Sequence, residues 1–281
     1  MNTLLRFPGG RDRALTLSYD DGVNSDLPLM EILDAHGIRA TFNINTASFA
    51  PEGMPMPDSV NTTETRRLSK SETVAAYKDS PHEVAVHALT HPFLQEMPSS
   101  LVAYEVMEDR KNIEELFGTV CRGMAYPYGT YNDTVVSVLR DAGIVYSRTT
   151  VSTGRFDIPT DWLRMPATCH HNDPRLPELC DAFLEDRPGR PARLFYLWGH
   201  SYEFARNQNW NIIRDFAEKM GKNEKIWYAT NIEIYDYVTA FRRLEFSANG
   251  RRVHNPSALE LFMTCDGSTV IPIPAGATVE L

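Results

Sequence analysis

The chain has 281 residues, 42% of them hydrophobic, enough to bury one barrel-sized core or two small ones. Its 28 basic and 37 acidic side chains leave a formal charge of -9, the wrong sign for holding a phosphate backbone, so nucleic acid is excluded as an expected partner. No stretch approaches the ~20 apolar residues of a membrane span, and the amino terminus MNTLLRFPGGRDRALTL lacks a basic-then-apolar secretory run, so the expectation is a cytoplasmic protein with no membrane partner.

The first element in the chain is a strand at ALTLSYDDG (14–22), where apolar and polar residues alternate before a turn. SDLPLMEILDAHG reads as a helix opened by Ser25 and closed by Gly37, and IRATFNIN (38–45) as the next strand. Residues 48–68 are rich in proline and poor in periodicity, the signature of an excursion over the surface. Helix resumes near SKSETVAAYKDS and is followed by a strand in HEVAVHALTH. A helix over SSLVAYEVMEDRKNIEELFG comes next, with apolar residues at helical spacing, and then CRGMAYPYG. NDTVVSVLRDAG is a capped helix, followed by strand-like IVYSRTT, WLRMPATCHH and RLFYLWGHS. NWNIIRDFAEKMG and NIEIYDYVTAFRRL are helices with the strand KIWYAT between them.

This alternation predicts an α/β chain, a distorted (β/α) barrel of seven or eight strands over residues 1–244. From Glu245 onward, short β runs separated by Asn-Gly, Asn-Pro and Asp-Gly turns predict a small C-terminal β appendage, 245–281, with no chemical motif. Its expected part is to cover a barrel edge or to mediate assembly, and oligomerisation is left open. Cys121, Cys169, Cys180 and Cys265 lack C-x-x-C spacing and are expected to be reduced and mostly buried.

In such a barrel the carboxyl ends of the strands share one rim, where chemistry is assembled. Asp20 and Asp21 fall there after the first strand, His87 and His91 after the third, Tyr128 after the fourth, Arg148 at the fifth, His170 and His171 after the sixth and His200 after the seventh. Two histidines and a carboxylate with an open position form a catalytic metal set, which His87, His91 and Asp21 supply. The zinc-protease motif has glutamate directly after its first histidine, and Ala88 stands there instead. The base must then come from elsewhere, and Asp20 is the candidate.

These motifs resemble the polysaccharide deacetylases of carbohydrate esterase family 4, the NodB-like domain, over roughly residues 14–200. SYDDG resembles that family's first motif, T-F-D-D-G, which implies Asp20 as catalytic base and Asp21 as metal ligand. HALTH resembles H-[ST]-x-x-H, which implies that His87 and His91 complete the metal triad, with Ala88 in place of Ser or Thr. AYPYG resembles R-x-P-[YW]-G, implying that the backbone amide of Tyr128 stabilises an oxyanion, and LWGH resembles L-x-H, implying His200 as general acid beside a wall formed by Leu197 or Trp198.

Two departures stand out. Ala125 replaces the arginine that orients the catalytic aspartate in many members, and Arg148 is the candidate to take its place, with Arg122 and Arg164 behind it. The fourth motif, D-x-x-D-W, is only partly met by DIPTDW, where Asp157 or Asp161 would be the carboxylate beside His200.

The function this implies is metal-dependent removal of acetyl groups from N-acetylated or O-acetylated sugars. The cofactor is one divalent cation, zinc foremost, with cobalt, manganese or nickel as alternatives. An acetylated sugar or oligosaccharide is the expected partner. The competing readings are a hydrolase of a non-sugar amide or imide on the same scaffold and a non-catalytic carbohydrate-binding homologue. His170 and His171 are candidates to line the cleft, and Trp198, Tyr202 and Phe204 to stack on a sugar ring or to pack in the core.

Overall fold

The computed structural model describes residues 3–265 and 269–281. Its strands are β1 (Thr3–Arg6), β2 (Arg13–Asp20), β3 (Ala40–Ile44), β4 (Glu83–Val86), β5 (Gly123–Ala125), β6 (Tyr146–Ser152), β7 (Met165–Ala167), β8 (Cys169–His170), β9 (Arg193–Gly199) and β10 (Ile226–Tyr228). Five short strands follow: β11 (Glu245–Phe246), β12 (Arg252–His254), β13 (Leu261–Cys265), β14 (Val270–Ile273) and β15 (Thr278–Glu280). The helices are α1 (Asp26–Ala35), α2 (Lys70–Tyr77), α3 (Ser99–Phe117), α4 (Asp133–Asp141), α5 (Leu176–Leu184), α6 (Ser201–Asn207), α7 (Asn211–Met220) and α8 (Asn231–Arg242).

Parallel ladders run in the order β7-β6-β5-β4-β3-β2-β9-β8. β7 and β8 are consecutive parts of one extended stretch, the first paired with β6 and the second with β9. That split strand bends the sheet back toward its start and is the distortion of the barrel. One edge of β2 is shared, Arg13–Leu15 pairing with β10 and Leu17–Asp20 with β3, so the eighth strand enters only at the lower end.

The alternation read in β2 has a direct structural meaning. Leu15, Leu17 and Tyr19 face the helices in the main core, while Thr16, Ser18 and Asp20 turn inward to a polar column. Hydrogen bonds link the column at each level. Thr16 donates to Asn231 at 2.9 Å, and Asn231 donates to the Tyr196 hydroxyl at 2.7 Å. Above them Asn43 donates to Ser18 at 2.8 Å.

Helix starts follow their capping residues in three cases. Ser69 with Glu72 and Thr230 with Glu233 form capping boxes for α2 and α8, and Asn132 accepts from Val135 N at α4. α1 differs from the sequence expectation: the Ser25 hydroxyl makes no cap bond, and the Asp26 carboxylate instead accepts from Val23 N at 3.1 Å. Helices α5 and α6 and strand β1 were not anticipated. β1 pairs antiparallel with β13, so the amino terminus is hydrogen-bonded into the C-terminal β region, which packs with α8 in a second apolar cluster. Among the described residues no helix is long and apolar enough to cross a membrane. No disulfide is present among them, and Cys121, Cys169 and Cys180 are buried.

Candidate active site

Asp20 ends β2 and is buried. Its Oδ1 accepts from Asn43 at 2.8 Å and from Arg148 Nη2 at 2.6 Å, and Arg148 Nη2 also reaches Oδ2. Arg148 lies within β6 rather than at its end, fully buried, with its guanidinium 4.7 Å from the centre of the Trp198 ring. His87 Nε2 and His200 Nε2 each stand 3.8 Å from Asp20 Oδ2. Burial works to raise the Asp20 pKa, but Arg148, His87 and His200 together outweigh it and hold the carboxyl well below its usual range.

The other two arginines considered for this place lie elsewhere. Arg122 pairs with Asp236 on α8 at 2.6 Å, and Arg164 pairs with Asp133 and Asp161.

Asp21, His87 and His91 each offer a ligand atom, and these atoms lie within 4.8 Å of one another. The His87 Nδ1 is 2.8 Å from the Ala125 carbonyl; donating there, it leaves Nε2 as a lone-pair donor toward the site. Burial pushes the His87 pKa down to about 4, against the pull of Asp20 and Asp21, and lowers His91 as well, so both rings are neutral near pH 7. Asp21 Oδ1 is buried without an aligned hydrogen bond and lies 3.8 Å from His91 Nε2. Two neutral imidazoles and a carboxylate oxygen with no aligned hydrogen bond are the donor set a divalent ion of borderline softness takes, so these residues fit such a cation.

The backbone here is strained. Of the non-glycine residues with positive φ, Asp21 (89°), Ala88 (59°), His91 (60°) and Tyr128 (58°) all belong to the rim motifs. Ala88 does not leave the histidine loop slack. Asn45 donates to the Ala88 carbonyl at 2.7 Å, Thr90 N and Oγ1 each donate to Glu105 at 2.8 Å, and His87 N donates to Asp109 at 3.1 Å. Two carboxylates of α3 thus clamp the loop.

His200 stands at the start of α6, with Nδ1 3.2 Å from Glu203 Oε1. Burial alone would lower its pKa, but Glu203 and Asp20 reverse the sign and raise it. Glu203 is also 3.2 Å from His170 Nε2 and 2.8 Å from His171 Nε2, and burial is overcome by these imidazoles, which hold it far below the usual carboxylate range. The carboxylate beside His200 is therefore Glu203. Asp157 pairs with exposed Arg155, and Asp161 with Arg164. The spacing His200-x-x-Glu203 on a helix carried this signal, since residues three apart are neighbours there.

A second missed residue is Arg67, from the excursion between β3 and α2. Its Nη2 is 2.8 Å from Asp21 Oδ1 and its Nη1 donates to the Asp21 carbonyl. No local pattern in ETRRL points to it.

The aromatic expectations divide. Leu197 and Phe204 are fully buried, the latter stacked on His171, and Trp198 is nearly so, lying beneath Arg148. Tyr202 is half-buried beside His200. Two exposed rings stand beside His91, Tyr128 (52%) and Phe93 (43%), stacked at 3.9 Å and 11°, with Tyr128 edge-on to His91 at 4.5 Å.

The family model described as "Polysaccharide deacetylase" matches residues 8–147. Chitin deacetylase 1 of Cryptococcus neoformans var. grubii is 25% identical over 129 residues, 46% of this chain but only 24% of that relative's length. A structure from Mycobacterium smegmatis provisionally named a polysaccharide deacetylase superposes with a TM-score of 0.59 at 14% identity, covering 85% of this chain and 94% of that one. The Xyl-CE4 domain of a multidomain xylanase from the hindgut metagenome of Trinervitermes trinervoides gives 0.52 at 18% identity, covering 85% and 99%. At these identities the two structures establish the fold alone.

Proposed function

This chain belongs to the polysaccharide deacetylase family, and we propose that it is a divalent-metal-dependent hydrolase that removes acetyl groups from N-acetylated or O-acetylated sugars. The observation that carries this reading is convergence. An ionised aspartate, a neutral His-His-Asp donor set and a histidine with a raised pKa meet around one mouth.

Asp21, His87 and His91 would hold the cation, with zinc foremost and cobalt, manganese or nickel as alternatives. When bound, it would supply Lewis-acid activation of water and of the acyl carbonyl. The residues of the chain do the rest. Asp20 accepts the proton of the attacking water, kept ionised beforehand by Arg148 and Asn43. The amide of Tyr128 donates to the developing oxyanion, a contribution of about 3 kcal/mol for one positioned donor. His200, held through Nδ1 by Glu203, presents Nε2 and gives its proton to the departing amine or alcohol. The exposed Tyr128–Phe93 stack beside His91 offers an apolar platform suited to the face of a pyranose ring.

The test is acetate release from N-acetylated and O-acetylated sugars, together with substrate loss from non-sugar amides and imides, each with metal-stripped and reconstituted protein. Metal-dependent turnover of the acetylated sugars supports the reading. Turnover confined to the non-sugar amides moves the chain to the competing class, and binding of sugars with no turnover of any compound makes it a carbohydrate-binding homologue.

A further inference from the structure

Arg67 reaches the candidate metal site from outside the barrel, and its anchorage is rigid. The backbone on either side of it is bonded to the turn after β2: Asn24 N donates to the Arg66 carbonyl at 3.0 Å, Leu68 N to the Gly22 carbonyl at 2.9 Å, and Arg66 N to Asn24 Oδ1 at 2.9 Å. The guanidinium lies against Asp21 Oδ1 at 2.8 Å, the same oxygen that faces His91 Nε2 at 3.8 Å. Arg66 next to it is spent on Glu72 of α2, whereas the ion pair of Arg67 is with Asp21.

Resting on the reading of Asp21, His87 and His91 as a cation site, we propose that Arg67 is a built-in competitor for the Asp21 carboxylate. It neutralises Asp21 when no cation is bound and must give up Oδ1 when one binds, so it sets the affinity of the site. A guanidinium and a divalent ion cannot both sit at hydrogen-bonding or ligand distance from one oxygen without strong repulsion. The pair is only partly exposed, so screening by solvent is incomplete, with side-chain exposures of 28% for Arg67 and 11% for Asp21. The competition is graded rather than absolute. Arg67 also donates to the Asp21 carbonyl, and that bond can persist when the carboxylate turns to a cation.

The experiment uses the full chain, stripped by chelator dialysis and titrated with zinc alone against a chromophoric chelator. It compares wild type, Arg67→Met, Arg67→Lys, Asp21→Asn and the neighbouring control Arg66→Met, with melting temperatures recorded with and without zinc. Wild type is expected to bind one equivalent, which Asp21→Asn should bind more weakly. Arg67→Met should bind it about tenfold more tightly, the scale of one interfacial charge contact. Arg67→Lys keeps the charge but not the fork and should fall between, and Arg66→Met should leave the affinity unchanged.

Without zinc, Arg67→Met should melt below wild type; with zinc its gain in melting temperature should be the larger. A merely structural arginine would not produce these opposite signs. Equal or weaker zinc binding by Arg67→Met and Arg67→Lys overturns the inference while leaving the metal-site reading intact. If wild type binds no zinc and Arg67→Met binds one equivalent, the competition is upheld and metal dependence of the native chain fails. If neither binds, both readings fall.

Discussion

Arg148 and Asp20 form an ion pair without solvent, the guanidinium donating to both carboxylate oxygens from a position stacked against Trp198. A buried charge deprived of its partner is costly, so Arg148→Met should lower stability by about 3–5 kcal/mol. It should also lower turnover more than Arg148→Lys does, since lysine restores the charge without the planar fork. Metal content should be unchanged in both variants because Arg148 contacts none of Asp21, His87 and His91. Denaturant melts, metal analysis and turnover measured together check this; full activity in Arg148→Met would remove the arginine from the mechanism.

Asp20 and Asp21 are neighbours of identical chemistry facing different partners. Asp20 is bound by Asn43 and Arg148, Asp21 by Arg67 with an oxygen turned to His91. Asp21→Asn should weaken metal binding, with activity partly recovered by excess metal. Asp20→Asn should retain the metal and lose roughly 10²- to 10⁴-fold in kcat, the usual contribution of a positioned base, without rescue. Loss of metal from both variants in equal measure would show the roles to be divided wrongly.

The parts of this site that were legible in the sequence are those whose chemistry is local. Asp20-Asp21 directly follow an alternating strand, and His87 and His91 are four residues apart across one turn. The arginine facing Asp20 could be named because the barrel brings the β6 interior opposite the end of β2. Glu203 was within reach, three residues from His200, but α6 is only seven residues long and its aromatic content masked the helical pattern. Arg67 was not within reach. It comes 46 residues after Asp21 on an aperiodic stretch, and only tertiary hydrogen bonds to the turn after β2 bring it back. The same limit applies to β1, whose partner β13 lies at the other end of the chain.

Glu83 predicts a pH dependence of stability at the opposite end of the barrel from the rim. Burial raises its pKa from 4.5 to about 7, against hydrogen bonds donated by Ile232 N, Tyr146 and Thr41. A carboxyl whose folded pKa is raised binds its proton more tightly in the folded state. Stability is therefore fully present below the unfolded value, falls as pH rises from 4.5 toward about 7, and is flat beyond. Glu83→Gln keeps an uncharged acceptor and should flatten that fall by on the order of 3 kcal/mol across the window. Asp26 and Asp109, also raised by burial to about 7, should leave a residual slope in the variant. Identical pH profiles of melting temperature for wild type and Glu83→Gln would mean that Glu83 is ionised in the folded state.

His200 and Glu203 predict the alkaline limb of the activity profile. Desolvation by itself would drive the His200 pKa below 6.5, and the Glu203 carboxylate at 3.2 Å, with Asp20 next, turns the shift upward. A general acid is active while protonated, so turnover should fall as pH rises through that raised pKa. In Glu203→Gln the opposing charge is gone, burial prevails, and the limb should move to lower pH. On the new limb, above both pKa values, turnover should drop about tenfold for each unit of displacement. Stability follows the same sign: the raised pKa contributes stability that is full below 6.5 and lost as pH climbs through the folded value, and Glu203→Gln should remove that contribution. His200→Ala should abolish the limb itself while leaving a low, pH-insensitive rate on substrates with good leaving groups, which need no acid. A limb that stays in place in Glu203→Gln would detach Glu203 from the acid. One that persists in His200→Ala would give the proton to another residue.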